Sequence, residues 1–301
     1  MPTIESLRAK IGSIQDLQSV VKTMKALAAV SIRQYQTAVE SLADYNRTIE
    51  MGLQIVLRQR YFSEKRGLVA SATDSKSSHN SLGIIIFGSD QGLCGQFNEQ
   101  IVSYAVQKLN KLEPKYIRIA AVGARLILPL EASRRTITKQ YSVPNSVTEI
   151  TAMVQEMLLN IEQWQTQQQI EQVILFYNKS LAGVSYHSTN LRLLPVDPNW
   201  LHFLEKKPWT TSVLPTFTMN ENQLFSALIR QYLFISLYRA FAESLASENA
   251  SRLSSMQAAE KNIAERLSDL NADYRRQRQS SITAELLDIV SGFEALTQPQ
   301  R

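Results

Sequence analysis

The chain has 301 residues, a net charge of +5 and a pI near 9.2, with 44% hydrophobic and 20% charged residues. That is the composition of a foldable chain long enough for two ordinary domains, and with no run of 18 apolar residues it offers no membrane-spanning helix. The single cysteine, Cys94, excludes an internal disulfide and fits a reducing compartment.

The ten glycines and nine prolines are few for this length and favour helix. The mildly basic balance admits nucleic acid as a partner class. However, the basic residues are interleaved with acids along both terminal segments, which favours a solvated helix face or an acidic protein partner. No signal or transit peptide is expected ahead of the first helix, which begins just after Pro2.

Thr3 can cap a first helix running to about Arg58, so residues 1–58 form the first segment. On a strict 3-4 spacing from Ile4 through Leu7, Ile11 and Ile14 to Leu53 and Val56, thirteen of sixteen positions are apolar. A 3.5-residue period sustained over this length predicts a coiled-coil seam. Gln18, Lys25 and Asn46 interrupt it, and Lys25, mid-seam, suggests that the helix there faces something other than its partner. Residues 59–81, containing a polar, Ser-rich, aperiodic run, read as a mobile loop.

The texture then changes. Residues 82–195 read as a compact α/β domain with a largely parallel, Rossmann-like sheet. Its strands are expected at Leu82–Phe87, Tyr116–Val122, Arg135–Tyr141, Gln172–Tyr177 and about Val184–Leu194, with helices at Asn98–Leu112 and Val147–Gln167 and a short one after Gly123. Residues 196–219, with three prolines and Pro195 just before them, read as an irregular connection.

The last segment, residues 220–301, carries one helix from Asn220 to Leu296: no proline lies between Pro215 and Pro299, and Gly292 is the only glycine after Gly183. Asn220, followed three residues later by Gln223, is a capping signal. At 1.5 Å per residue the segment would extend roughly 110 Å. A compact globule of this chain length would be only about 50 Å across. Such a helix requires other bodies around it. Its 3-4 stripe runs Leu224, Leu228, Ile235, Tyr238, Ala242, Leu245, slips by one residue near Asn249–Leu253, and resumes as Leu253, Met256, Ile263, Leu267, Leu270, Tyr274. The expected fold is α+β: a long antiparallel two-helix coiled coil of the N- and C-terminal helices, the second longer by roughly 20 residues, with the α/β domain between them.

Chemistry-bearing residues are sparse. Gly88-Ser89-Asp90-Gln91-Gly92-Leu93-Cys94-Gly95 follows a strand and precedes a helix, a context that can cradle phosphate. It lacks the Lys-Ser/Thr ending and glycine spacing of a P-loop, so a tight turn is the favoured reading. Cys94 reads as a small buried thiol rather than a nucleophile, because none of His79, His187 and His202 stands at a pairing spacing, and the histidines form no metal pattern. Arg275, Arg276 and Arg278 read either as a solvated face or as a site for an acidic partner, the latter favoured on an enclosed helix. No acid–base pair or triad emerges, and the residues alone describe an elongated interaction protein.

Three blocks are similar to a known family. They are Ile4-Glu5-Ser6-Leu7-Arg8-Ala9-Lys10-Ile11 with Val21-Lys22-Thr23-Met24; Ser89-Asp90-Gln91-Gly92-Leu93-Cys94-Gly95 with Phe97-Asn98; and Leu245-Ala246-Ser247-Glu248-Asn249-Ala250-Ser251-Arg252-Leu253 with Tyr274, Arg278-Gln279, Ile282-Thr283, Glu285-Leu286-Leu287 and Ile289-Val290-Ser291-Gly292. Across essentially its whole length the chain resembles the gamma subunit of F-type ATP synthases, the central rotor shaft. The resemblance implies a non-catalytic subunit with no cofactor and no metal. It implies partners in the α and β subunits of the catalytic ring, the epsilon subunit and the membrane c-ring, and no nucleic acid. It also implies a peripheral position on the cytoplasmic face of a bacterial cell membrane, without direct insertion. Ion flow would turn the shaft, which would drive each β subunit through its catalytic states. By position, the resemblance assigns Met24, Arg252, Gln279, Thr283 and Glu285 to β-subunit contacts. It assigns Asp90, Gly92, Leu93, Cys94 and Gly95 to a foot motif facing epsilon and the c-ring, for which turn geometry alone is the competing reading. Gln91 and Gln96 depart from the family's usual Asp-Arg-Gly-Leu-Cys-Gly-Gly. Ser31-Ile32-Arg33-Gln34 stands where Lys-Met-Arg-Lys is common, and Val213-Leu214-Pro215 where an aromatic-Glu-Pro element is common. The competing functions are a nucleotide-dependent enzyme on the α/β domain, and a scaffold or tether without a rotary role.

Overall fold

The computed structural model describes residues 3–64, 81–181, 185–209 and 215–297. The chain divides into two compact units, one of residues 1–27 with 253–301 and one of residues 28–252. Helix α1 (Ile4–Glu64) and helix α6 (Glu221–Thr297) each contribute to both.

Helix α1 is capped as expected: the Ser6 N–H donates to Thr3 Oγ1 at 3.2 Å. It runs to Glu64, six residues past the expected end, so the stretch read as a loop from residue 59 begins as helix; nothing in Gln59–Glu64 breaks one. The rest of that stretch, residues 65–80, lies outside the described residues, His79 included, while Ser81 already belongs to a strand. None of the sixteen 3-4 positions of α1 is exposed. In the first unit Leu7, Met256 and Leu270 are buried, and Lys25 donates to Glu260 Oε2 of α6 at 2.5 Å. Lys25 therefore faces its partner helix after all, because an acidic residue stands opposite. In the second unit α1 and α6 run antiparallel: Tyr45 meets Gln231, and Gly52 lies against Leu228 seven residues further along α1.

The second unit is built on one five-stranded sheet in the order β3-β2-β1-β4-β5. The strands are β1 (Ser81–Phe87), β2 (Tyr116–Val122), β3 (Lys139–Tyr141), β4 (Gln172–Ser180) and β5 (Tyr186–Leu194). The first four are parallel and β5 is antiparallel to β4. The strand expected from Arg135 is only three residues long. Arg134 turns left-handed (φ 55°) and the Arg135 N–H returns to Leu130 O, so the chain is still leaving helix α3 (Ile127–Ala132) there.

Alternation along β1 sends Leu82, Ile84 and Ile86 to one face and Ile85 and Phe87 to the other. The first face is covered by α2 (Phe97–Leu112) through Ile101, Val102, Ala105 and Leu109. The second is covered by α4 (Val147–Gln168) and by the middle of α6, where Phe241 packs edge-on to Phe87 at 4.8 Å. Enclosure by the sheet explains why the stripe of α6 loses its phase: from Ile235 to Arg252 only Tyr238, Arg239 and Asn249 escape full burial. The connection read as irregular contains helix α5 (Pro198–Lys206), started by Asp197, whose carboxylate accepts from the Asn199 N–H at 2.9 Å with Pro198 in the first turn.

Candidate functional site

The loop after β1 is held by a dense set of hydrogen bonds. Two glycines let its backbone close. A Cβ on Gly88 would stand 2.5 Å from Leu126 and 2.6 Å from Asn98 Oδ1. Gly123, at φ 106°, passes so close to Ser89 that a Cβ would meet its backbone at 2.7 Å. Asn98, at the start of α2, satisfies Ser89 twice: its Oδ1 accepts from the Ser89 N–H at 2.9 Å and its Nδ2 donates to Ser89 Oγ at 2.8 Å. Asp90 bridges two other segments, accepting from the N–H groups of Ala124 and Val143 at 2.7 Å each. These are charge-assisted bonds that tie the ends of β1, β2 and β3 together.

Cys94 is buried beside Ser89 Oγ (3.6 Å) and Asn98 Nδ2 (3.7 Å), and burial pushes its thiol above the ordinary value. A buried, protonated thiol is an inert packing group, as the sequence implies. Leu93 is different: it holds a left-handed backbone (φ 62°) with its side chain 61% exposed. A non-glycine residue in that region costs about 1–3 kcal/mol and turns an apolar side chain to solvent.

One face of α6 lies on this loop. The Ser251 hydroxyl donates to Cys94 O at 2.6 Å. One turn earlier, Ser247 Oγ is 2.7 Å from Glu243 O and 3.0 Å from Asn178 O near the end of β4. Arg252 pairs with Glu248 at 2.6 Å, their side chains 8% and 7% exposed, and its terminal nitrogens also donate to Asn249 Oδ1 (3.2 Å), Gln91 O (3.3 Å) and Gly92 O (3.4 Å). Burial raises the Glu248 carboxyl above its ordinary value, against the lowering influence of Arg252. The arrangement is an interlock of directional bonds. The carboxyl ends of the parallel strands, where α/β sheets commonly bind ligands, are occupied here by the protein's own side chains. Among the described residues no group of three or more His, Cys, Asp and Glu side chains could hold a metal ion.

The predicted site residues fall into separate places. Asp90, Gly92, Leu93, Cys94, Gly95 and Arg252 come together in this junction, with only Leu93 projecting an apolar side chain outward. Met24 is half-buried in the first unit, and Gln279, Thr283 and Glu285 are exposed on α6, as are Arg275, Arg276 and Arg278. Gln279 and Thr283 share a face: the Thr283 hydroxyl donates to Gln279 O at 2.9 Å. Ser247 and Ser251 were not singled out from the sequence, where they look like small helix-packing residues. Leu17, Val20 and Leu27 also escaped: they are exposed apolar residues of α1 in the first unit, at spacings of three and seven. Val213 and Leu214 lie outside the described residues.

A family model described as ATP synthase matches residues 3–296. Curated relatives include the ATP synthase gamma chain of Anaeromyxobacter sp. strain K, 26% identical over 98% of this chain and all of its own. Another is the ATP synthase gamma chain of Acaryochloris marina, 28% identical with the same coverage. A chain from the Euglena gracilis mitochondrial ATP synthase (OSCP/F1/c-ring, rotational state 3) superposes with a TM-score of 0.64 at 17% identity, covering 99% of this chain and 97% of its own. A chain from the Tetrahymena thermophila mitochondrial ATP synthase central stalk/c-ring gives 0.53 at 21% identity over 80% and 99%. These structural likenesses establish a shared fold.

Proposed function

The chain belongs to the ATP synthase gamma-subunit family, and from that premise we propose that it works as the central-stalk rotor of such a complex. Its family is the central-stalk component, not the catalytic one. In this reading the paired helices stand within a ring of α and β subunits, and the α/β body meets the epsilon subunit and the c-ring. The chain stays peripheral on the cytoplasmic face of a bacterial membrane, held there through its partners; among the described residues no helix is long and apolar enough to cross a membrane.

The observation that carries the proposal is the last part of α6. Every residue from Ile282 to Phe293 is exposed, and Leu286, Leu287 and Ile289 are 58%, 60% and 68% exposed. Consecutive apolar turns left open to water mark a surface that another body covers. Met24, Gln279, Thr283 and Glu285 are proposed to face β subunits, and Leu93 to be the outward contact of the Asp90–Gly95 motif. Arg252, which the resemblance assigns to a β-subunit contact, is buried against the carbonyls of that motif in this chain, and any part it plays in the β contact is proposed to run through the motif. The mechanism is population shift: a shaft that binds one β conformation better than another changes which is favoured as it turns. That work requires a stiff body with an uneven surface, and no general acid or base.

Reconstitution tests the proposal. The chain is mixed with α and β subunits from its own source and ATP hydrolysis is assayed. The expected result is no activity from the chain alone, activity on mixing, and co-elution in substoichiometric amount. If α and β subunits neither bind it nor gain activity, the rotor reading falls and the scaffold reading replaces it.

A further inference from the structure

We propose that Ser247, Ser251 and Arg252 are positioning residues that form a torsional clasp, locking helix α6 to the carboxyl ends of β1 and β4. This rests on the rotor reading above. Ser247 and Ser251, one turn apart, share a face of α6, and the long side chain of Arg252 at the next position reaches the same loop. Off the helix, their acceptors are backbone carbonyls: Cys94, Gln91 and Gly92 in the loop that leaves β1, and Asn178 on β4, for which the single Ser247 hydroxyl proton is shared with Glu243 O of its own helix. β1 and β4 are hydrogen-bonded neighbours in the sheet, so the helix is held at two points of one rigid edge.

The chemistry suits resistance to twisting. Besides the Glu243 carboxylate, which stands 4.0 Å from Lys179 of β4, the rest of the contact between α6 and the sheet is dominated by apolar side chains such as Leu237, Phe241 and Leu245. Apolar contact provides adhesion without direction, so sliding or rolling of the helix costs little until area is exposed. Hydrogen bonds weaken steeply with misalignment. A main-chain carbonyl inside a cross-bonded loop cannot turn to follow a moving donor as a side chain could. Asn98 and Asp90 fix that loop from behind through Ser89, Ala124 and Val143. Glu248 holds the Arg252 guanidinium beside the two loop carbonyls. A buried polar row of this kind is a poor choice for stability alone, since apolar residues would fill the same space at lower desolvation cost.

The test uses the whole complex in sealed vesicles, with Ser251→Ala and Ser247→Ala/Ser251→Ala. Both serines are buried against this chain's own carbonyls, so neither change alters a partner surface. ATP hydrolysis is measured with an ionophore present, where the rotor works without load. The steady-state ion gradient is measured without it, where the rotor works against load. The expected result is near-normal unloaded hydrolysis and a smaller gradient, with about a fivefold rise in slip per hydroxyl removed, and recovery in Ser251→Thr, which keeps the hydroxyl. A residue important only for stability would lower the melting temperature and leave the gradient per ATP unchanged, and that result overturns the clasp. Failure of both variants to assemble also overturns it, because the contact is then needed for folding rather than for torque. A wild-type complex that hydrolyses ATP without pumping instead removes the rotor reading itself, and the clasp falls with it.

Discussion

Replacing Arg252 by Ala removes the cation paired with the buried Glu248 carboxylate. The Glu248 and Arg252 side chains are 7% and 8% exposed, and Glu248 Oε2 has no hydrogen-bond partner even in the intact protein. Removing one member of a buried pair typically costs about 3–5 kcal/mol, because the survivor keeps its desolvation penalty without the compensating charge. For a unit of this size that corresponds to a fall in melting temperature of roughly 6–20 °C. The cost should depend on pH, and its sign follows from Glu248. Its carboxyl is already raised by burial and held down by Arg252, with Asp90 pushing it further up; Cys94 and Tyr35, nearby, feel the same negative charge. Without Arg252 it rises further above its unfolded value. The folded state then binds the proton more tightly, so the deficit is full above the folded-state pKa and shrinks as pH falls towards the ordinary carboxylate range. Denaturant unfolding of the full chain at pH 7.5 and pH 5, with Arg252→Ala, Glu248→Gln and the double variant, measures this. The double variant should recover about 2 kcal/mol or more of the single loss. A loss below about 1 kcal/mol, or a larger one that neither acid nor Glu248→Gln relieves, would refute the reasoning.

Other substitutions probe separate links. Leu93→Gly relieves a left-handed residue but frees the unfolded chain, so stability should stay within about 1 kcal/mol while affinity for the partner that covers the loop falls; unchanged assembly would remove Leu93 from the interface. Gly123→Ala forces a Cβ to within 2.7 Å of the Ser89 backbone at φ 106°, and thermal unfolding should show a loss of about 3 kcal/mol or more. Glu260→Gln breaks the pair with Lys25, whose hydrogen bond holds the Glu260 carboxyl below its ordinary value. That contribution is present above the ordinary carboxylate range and lost in acid. The pair is accessible to water, so the unfolding midpoint should barely move at neutral pH and not at all in high salt.

How much was legible depended on whether the deciding partner lay near in sequence. The sixteen-position seam of α1 was readable because a helix periodicity is local, and all sixteen positions are shielded. Strands β1, β2 and β4 were readable as apolar runs because they are covered on both faces. Lys25 was misjudged because its partner, Glu260, lies 235 residues away. Helix α5 was missed although Asp197-Pro198 is a start signal; four prolines in 25 residues outweighed it. The serine contacts had no signal, since a hydroxyl on a helix does not announce which carbonyl it will meet, and Cys94 O is 157 residues from Ser251.

The same distinction separates what the Asp90–Gly95 motif does inside the chain from what it offers outside. Asp90 is used up in bridging Ala124 and Val143, Cys94 is packed, and Gly92 and Cys94 contribute carbonyls to the helix contacts. These roles belong to turn geometry, and they need the backbone or the named side chain. Gln91 departs from the family's usual arginine, yet it serves Arg252 through its main-chain oxygen while its residue remains exposed. Any side chain at position 91 leaves that oxygen in place, so the junction tolerates the departure. Gln96, the other departure, is likewise exposed and offers no side-chain cap to α2. Both changes therefore fall where the described residues place no demand on the side chain, which leaves these positions open to a contact beyond this chain. Leu93, strained and outward-facing between them, is the residue on which such a contact would turn.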